Sequence, residues 1–304
     1  MSQNKILFSI IIPTYNRSAL LRKTVISFLE QTYPYFEIIV VDDAGTDDTE
    51  TMLQHLGDSR IRYIRQIINQ ECGVARNKGA SVAVGNYFNF FDSDDIAYPN
   101  HLSEAARAVE ELNEPMVFHT GLEVKDAQNK IYYQRKRLNK PYANDEFLRH
   151  NHVNLNPVFI HRVAFGEVQF CADRRTAMPQ DWLLHLRLAA RFPFHVFDEQ
   201  ITCAIIQHDG RSLARTTASN YLQTINFMKG NLSQDAIFMK KYAKYLPQIE
   251  AQELTVSGLY FSLERAGKAA FRCTFRAFWL APSWVTFRGI LVVAKCLLLR
   301  KTNI

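Results

Sequence analysis

Among its twelve glycines, the 304-residue sequence has no phosphate-cradling loop of the GxGxxG or GxxxxGK pattern. That absence argues against a dinucleotide dehydrogenase or a P-loop kinase. The five cysteines (Cys72, Cys171, Cys203, Cys273 and Cys296) are odd in number and scattered, with no CxxC pair. They read as reduced thiols of a cytosolic protein, not as a secreted disulfide framework or a zinc site. No stretch offers the ~18 uninterrupted apolar residues of a spanning helix. The opening MSQNKILFSIIIPTYNR carries only a short apolar run and no small-residue cleavage site, so it is not expected to be a signal peptide. Acid is missing from the far end, where no Asp or Glu follows Glu264.

What is present is a globular composition. Apolar residues make up 47% and charged residues 22%, which excludes a disordered chain. The length suits one large domain with an appendage. The net charge of +6 is unevenly spread: from residue 221 onward there are twelve Lys/Arg against four Asp/Glu, a net of +8, which leaves −2 for the first 220. The basic character therefore belongs to the C-terminal stretch.

Short apolar runs alternate with amphipathic stretches through the first third, the pattern of βαβ units around a parallel sheet. Phe8 opens a buried strand stopped by Pro13, and a helix follows from Ser18 with Leu21, Val25, Phe28 and Leu29 on one face. Further strands are predicted at 37–41, 61–64 and 86–91. Asp47 and Glu50 form a capping box for a helix through Leu56, residues 73–84 make a small-residue helix, and Pro99 opens the first turn of a helix to Leu112. Beyond Pro115 a strand is expected at 116–121, irregular polar chain at 125–145, a helix at 183–190 and a strand at 201–206. Only helices follow Tyr221.

In an open α/β sheet, ligands sit beyond the carboxyl ends of the strands. Thr14-Tyr15-Asn16-Arg17, Asp42-Asp43 and Asp92-Ser93-Asp94-Asp95 each follow a predicted strand and so should share one rim. Three carboxylates within four residues repel one another unless a cation compensates them. Oxygen ligation selects a hard ion, Mn²⁺ or Mg²⁺, and the bland alternative is a solvated turn before the next helix. Asp42-Asp43 can accept hydrogen bonds from a base or ribose, or simply form an acidic turn. Without a Gly-rich loop, phosphates would be neutralised by metal and by side chains such as Arg76.

SIIIPTYNR, VVDDAGTDDT, CGVARNKG and NFFDSDD, in this order and spacing, resemble family 2 glycosyltransferases of the GT-A fold. The similarity spans residues 6–210, is weaker over 115–175, and returns at QDW and QHDGRS. The resemblance implies that Pro13 and Tyr15 wall a base pocket, that Asp43 reads the base with Asp42 beside it, and that Arg76 reaches the nucleotide. It further implies that Asp92 and Ser93 lie at the ribose and that Asp94 ligates the metal. Asp95 is the alternative ligand, and His208 completes the metal or pyrophosphate site. Asp181 matches the family's general base, which would take the acceptor proton as the hydroxyl attacks opposite the leaving nucleoside diphosphate and inverts the anomeric centre. The family usually has Glu before this Asp, where this chain has Gln180. Gln180, Trp182 and His152 are acceptor-side candidates. Trp182 reads equally as a core anchor, and His150 and His152 flank Asn151 at strand-like spacing.

The expected architecture is α/β: a GT-A, Rossmann-like, mostly parallel central sheet flanked by helices, with a C-terminal helical extension. Residues 1–220 form the catalytic domain (1–112 nucleotide-binding, 113–220 acceptor-binding) and 221–304 the extension. Residues 265–304 interleave bases with Phe271, Phe275, Phe278, Trp279, Trp284 and Phe287, and suit either an anionic membrane interface or a cap docked on the domain. No nucleic-acid module is expected. The implied activity is an inverting, metal-dependent hexosyl transfer from a UDP-sugar to a glycan or glycolipid of a bacterial surface polysaccharide such as lipopolysaccharide or capsule, at the cytosolic face of the membrane. The rival readings are a catalytically weak nucleotide-sugar-binding or scaffolding protein, motivated by Gln180, and a sugar nucleotidyltransferase, which would need a Gly-rich start that is absent.

Overall fold

Seven consecutive buried residues, Phe8–Thr14, make β1 the centre of a sheet whose two faces are both covered, which is why it reads as a continuous apolar run. The structure is a computed structural model and describes residues 5–134, 138–151, 153–173, 180–208 and 217–282. β2 (Phe36–Asp42) and β4 (Tyr87–Phe90) pair with β1, and β3 (Ile61–Arg65) pairs with β2, all in parallel register. The crossovers are α1 (Ser18–Leu29), α2 (Thr49–Leu56) and α3 (Glu71–Val82). α3 lies very close to the sheet: a Cβ on Gly79 would meet Ile11 Cγ2 at 2.5 Å, so glycine sets the approach.

The second half of the sheet is mixed. β5 (Ile96–Ala97) and α4 (His101–Glu111) precede β6 (Val117–Asp126), and β7 (Ile131–Gln134) returns antiparallel on β6. After α5 (Asn144–Arg149) come β8 (Val158–His161) and α6 (Arg162–Glu167), then α7 (Gln180–Arg191) and β9 (Phe194–Gln207). β8 lies antiparallel between β4 and β6, β9 runs parallel to β6, and β5 closes the edge antiparallel to β9. Among the described residues the sheet has nine strands in the order β3-β2-β1-β4-β8-β6-β9-β5, with β7 on β6. Parallel pairing is thus concentrated in the first half.

Local departures from the sequence expectations have physical causes. β1 continues through Pro13 because Ile11 O already accepts from Phe91 N at 3.0 Å. Pro13, two residues on, faces the same side past the end of β4, where its missing N–H costs no ladder bond. Asp47 and Glu50 do not form a capping box. Asp47 instead accepts from Thr49 N (3.2 Å) and Thr49 Oγ1 (2.7 Å) and, through its other oxygen, from Ser18 N (2.8 Å), so it starts two helices at once. Pro99 lies before α4, whose cap position is Asn100. The stretch expected to be irregular contains β7 and the start of α5.

The chain divides into two compact units. The first contains the sheet: described residues 5–134, 138–144, 153–173 and 192–208. The second contains described residues 145–151, 180–191 and 217–282, with α8 (Ala218–Gln234), α9 (Ala236–Tyr242), α10 (Leu246–Leu263) and α11 (Gly267–Leu280). These units differ from the expected division at 220, since α7 groups with the C-terminal helices. Asp235, the cap of α9, accepts from Arg187 Nε (3.1 Å) and pairs with Arg191 (2.9 Å), while Tyr242 donates to Ala189 O (3.3 Å). No helix among the described residues is long and apolar enough to cross a membrane.

Candidate active site

Parallel register sets the rim. Thr14 lies opposite Asp42, and Asp43 N donates to Thr14 O at 2.9 Å, so the loops after β1, β2 and β4 emerge together. Tyr15 stands 46% exposed there. Asn16 takes a left-handed φ of 50° and accepts from Thr46 N at 2.7 Å, binding the first loop to the second.

The two aspartates after β2 are both buried and have different tasks. Asp43 accepts from Gln66 Nε2, Gln70 N and Glu71 N, each at 2.8 Å. The last of these is the first residue of α3, so the carboxylate sits at the positive end of the helix dipole. Asp42 turns inward, accepting from Gly45 N and the Tyr63 hydroxyl, both at 2.8 Å. Gly45 is required there, since a Cβ would lie 2.7 Å from Asp42 Oδ1. Asp42 therefore shapes the turn and does not face a ligand beside Asp43. Burial, then the Asp42 bond and charge, push the Tyr63 hydroxyl up from its ordinary pKa.

The carboxylates of Asp92, Asp94 and Asp95 offer ligand atoms within 4.8 Å of one another. Arg76, buried on α3, donates to Asp92 Oδ1 at 2.8 Å and lies 5.3 Å over the Phe170 ring. Asp94 Oδ2 meets both Arg17 Nη1 (3.1 Å) and His208 Nε2 (3.0 Å). Ser93 is buried. Asp95 is fully buried and its two oxygens face inward: Oδ2 accepts from Asn156 Nδ2 (2.7 Å) and Oδ1 from Ile206 N (2.8 Å). Asn156 Oδ1 in turn accepts from Asp92 N at 3.0 Å. Asp95 thus ties the acidic loop to β9, two residues before His208. This donor set, carboxylate oxygens with one imidazole, fits a hard or borderline divalent cation. Asp92, Asp94 and Asp95 offer such a set and His208 stands beside it on Asp94, while both oxygens of Asp95 are already engaged by Asn156 and Ile206. Residues 209–216, which complete the QHDGRS motif, lie outside the described residues.

In the second unit, Asp181 occupies the first turn of α7. Its Oδ1 accepts from Trp182 N and its Oδ2 from Asn151 Nδ2, both at 2.8 Å. The carboxylate therefore lies at the positive end of the α7 dipole. Trp182 is 1% exposed and its ring N–H donates to Phe147 O at 2.7 Å, so it is a core anchor and cannot stack on a sugar. Gln180 is buried, and His152 lies outside the described residues. A carboxyl unforeseen from sequence, Glu253 on α10, is buried in the same unit. Burial above all, opposed by the Tyr221 hydrogen bond and reinforced by the charge of Asp181, pushes its pKa up to about 7.

The sequence profile of "Glycosyl transferase family 2" matches residues 9–171, more than half of the chain. The chain belongs to this glycosyltransferase family. One relative of the enzyme is the "Putative colanic acid biosynthesis glycosyl transferase WcaA" of Escherichia coli K12, 29% identical over 264 residues that cover 83% of this chain and 91% of WcaA. Among solved structures, Staphylococcus aureus TarS 1–349 in complex with UDP superposes with a TM-score of 0.68 at 16% identity, covering 96% of this chain and 89% of TarS. The mannosyltransferase PcManGT of Pyrobaculum calidifontis, in complex with GDP-Man and Mn²⁺, superposes with a TM-score of 0.54 at 17% identity, covering 97% and 88%. These likenesses establish the GT-A fold of the glycosyltransferase.

The motif residues of the first unit lie along the rim, with the carboxylates of Asp42 and Asp95 turned inward. Sequence reasoning passed over Arg17, although it stands inside the TYNR motif, because nothing local shows that it reaches 77 positions along the chain to Asp94. Asn156 and Gln66 carry no motif at all.

Proposed function

We propose that the enzyme transfers a sugar, with inversion, from a UDP-sugar to a hydroxyl of a glycan or glycolipid during assembly of a bacterial surface polysaccharide at the cytosolic face of the membrane. The observation that carries this reading is the acidic cluster at the carboxyl rim of the parallel strands, with Arg17, Arg76 and His208 around it. The complex of TarS with UDP and the naming of WcaA for colanic acid support the donor and product class.

Tyr15 and Pro13 wall the base, Asp43 accepts from it, and Arg76 orients the nucleotide next to Asp92 and Ser93. Asp94, with Asp92 and His208, would hold Mn²⁺ or Mg²⁺, which would supply charge neutralisation of the diphosphate. Arg17 offers a second positive charge on that side. As the acceptor oxygen forms its bond to the anomeric carbon, the bond to the diphosphate breaks and the acceptor proton passes to Asp181. Gln180 brings no charge where the family usually has Glu, and Glu253 supplies a second carboxyl in the unit that carries Asp181.

A panel of UDP- and GDP-sugars, assayed for turnover and binding with wild type and Asp181→Asn, tests the reading. Turnover of one donor that falls at least ~10²-fold in Asp181→Asn with donor affinity retained supports it. Unchanged turnover would move the base elsewhere, and donor binding without turnover in wild type would favour the weak-binder reading.

A further inference from the structure

α11 is built inside out. Its packed face is small: Ala270, Cys273, Thr274 and Ala277 are buried against α10, where Ala251 and Leu254 join the same cluster. The approach is close, since a Cβ on Gly258 would meet Thr274 Oγ1 at 2.6 Å and Ala270 O at 3.3 Å. The large rings point the other way. Phe271 is 64% exposed, Phe275 51%, Phe278 42% and Trp279 73%. They form one stripe at i, i+4, i+7 and i+8, with Phe271 stacked on Phe275 at 5.7 Å and Trp279 edge-on to Phe275 at 6.3 Å. A helix that completes a core turns its bulk inward. Here the inner face is already filled by small residues, and the rings are left on the outside.

A basic row, Lys268, Arg272 and Arg276, runs beside the aromatic stripe at four-residue spacing, and all three are exposed. Arg276 is held by Glu250 at 2.6 Å. α11 contains no acid, and the last acid of the chain, Glu264, accepts from Ala218 N at the start of α8. We propose that this face of α11 is a docking surface for an anionic lipid bilayer, with Phe271, Phe275, Phe278 and Trp279 entering the headgroup boundary and the basic row meeting lipid phosphates. Charge complementarity selects this occupant over a second copy of the chain, because a two-fold interface would set the basic row against itself. Residues 283–304 carry Arg288, Lys295, Arg300 and Lys301 and no acid, so they also bring charge of the same sign. The inference rests on helix geometry and charge, not on donor chemistry, so lipid docking and sugar transfer can fail separately.

The test uses the full chain with vesicles of phosphatidylglycerol mixed with phosphatidylcholine, and of phosphatidylcholine alone. Wild type is expected to sediment with the anionic vesicles only and to be released by high salt. Its tryptophan emission should shift to the blue, and most of that shift should vanish in Trp279→Phe. The variants Phe271→Ser/Phe275→Ser/Trp279→Ser and Lys268→Gln/Arg272→Gln should each bind at least ~10-fold more weakly, with unchanged helical circular dichroism and melting, since every altered side chain is exposed. Equal binding by the triple variant, no preference for anionic vesicles, or an aromatic-dependent dimer without lipid binding would each overturn the proposal. The last of these would assign the face to a second copy.

Discussion

Asp94 and Asp95 are adjacent carboxylates, the metal ligand and the alternative ligand that the resemblance implies, and their surroundings predict opposite phenotypes. Asp95 accepts from Asn156 Nδ2 at 2.7 Å and Ile206 N at 2.8 Å with no access to solvent. In Asp95→Asn the new NH₂ must face one of these donors. Asn156 cannot turn over to help, because its own Oδ1 is held by Asp92 N. One charge-assisted bond is replaced by two opposed buried donors and the other is weakened, a loss of about 2–4 kcal/mol. At roughly 2 °C per kcal/mol for a chain of this size, melting should fall by about 4–8 °C. Asp94→Asn keeps an acceptor for the part-exposed Arg17 and His208, so it should cost about 1 kcal/mol or less. Saturating Mn²⁺, which stabilises any state that binds it, should raise the melting temperature of wild type and Asp95→Asn but not of Asp94→Asn. Scanning fluorimetry with and without Mn²⁺ reads both quantities. An Asp95→Asn protein as stable as wild type that has lost its response to Mn²⁺, beside an Asp94→Asn protein that keeps it, would refute the assignment.

Two pH-linked predictions follow from buried groups. His101 is fully buried between Thr202 Oγ1 (2.8 Å) and Asn89 Oδ1 (3.3 Å), and burial lowers its pKa to about 3 from an ordinary 6.5. Because the unfolded chain gains a proton that the folded one refuses, stability should fall by about 1.4 kcal/mol per pH unit below 6.5. Urea unfolding of His101→Asn across that range should show a shallower slope than wild type, and parallel slopes would count against a neutral buried ring. Glu253 has the opposite sign: its folded pKa of about 7 exceeds the ordinary 4.5, so wild type loses stability as pH rises through that window. Glu253→Gln should therefore be more stable than wild type by about 3 kcal/mol at pH 8 and nearly equal near pH 4, and a variant less stable than wild type at pH 8 would show that the charged form is paired after all.

The parallel half of the sheet was legible because β1, β2 and β4 are buried runs that end in turn chemistry, and because that topology brings their following loops to one rim. The mixed half was legible in part: the strands expected at 116–121 and 201–206 fall on β6 and β9, whereas β7 is exposed along its whole length and has no buried face to mark it. The grouping of α7 with the C-terminal helices was not legible in the sequence either. α7 reads as one more amphipathic helix of an α/β domain, and contacts more than 40 residues on, from Arg187 and Arg191 to Asp235 and from Tyr242 to Ala189 O, attach it to the helical unit. Within the site, residue types announced the acidic clusters but not the direction of each side chain. Asp42 turns inward because of Tyr63 and Gly45, and Trp182 is claimed by a carbonyl at Phe147. Arg17, Asn156 and Glu253 act across long sequence separations that no local pattern records.

The central claim, a nucleotide-sugar site built on Asp94 with a divalent cation, is tested most directly by calorimetric titration of UDP into wild type and Asp94→Asn, each with and without Mn²⁺. The account predicts that Mn²⁺ tightens UDP binding to wild type by at least ~10-fold and leaves Asp94→Asn unchanged. UDP binding of equal strength with and without the metal, or none even at millimolar nucleotide, would contradict it.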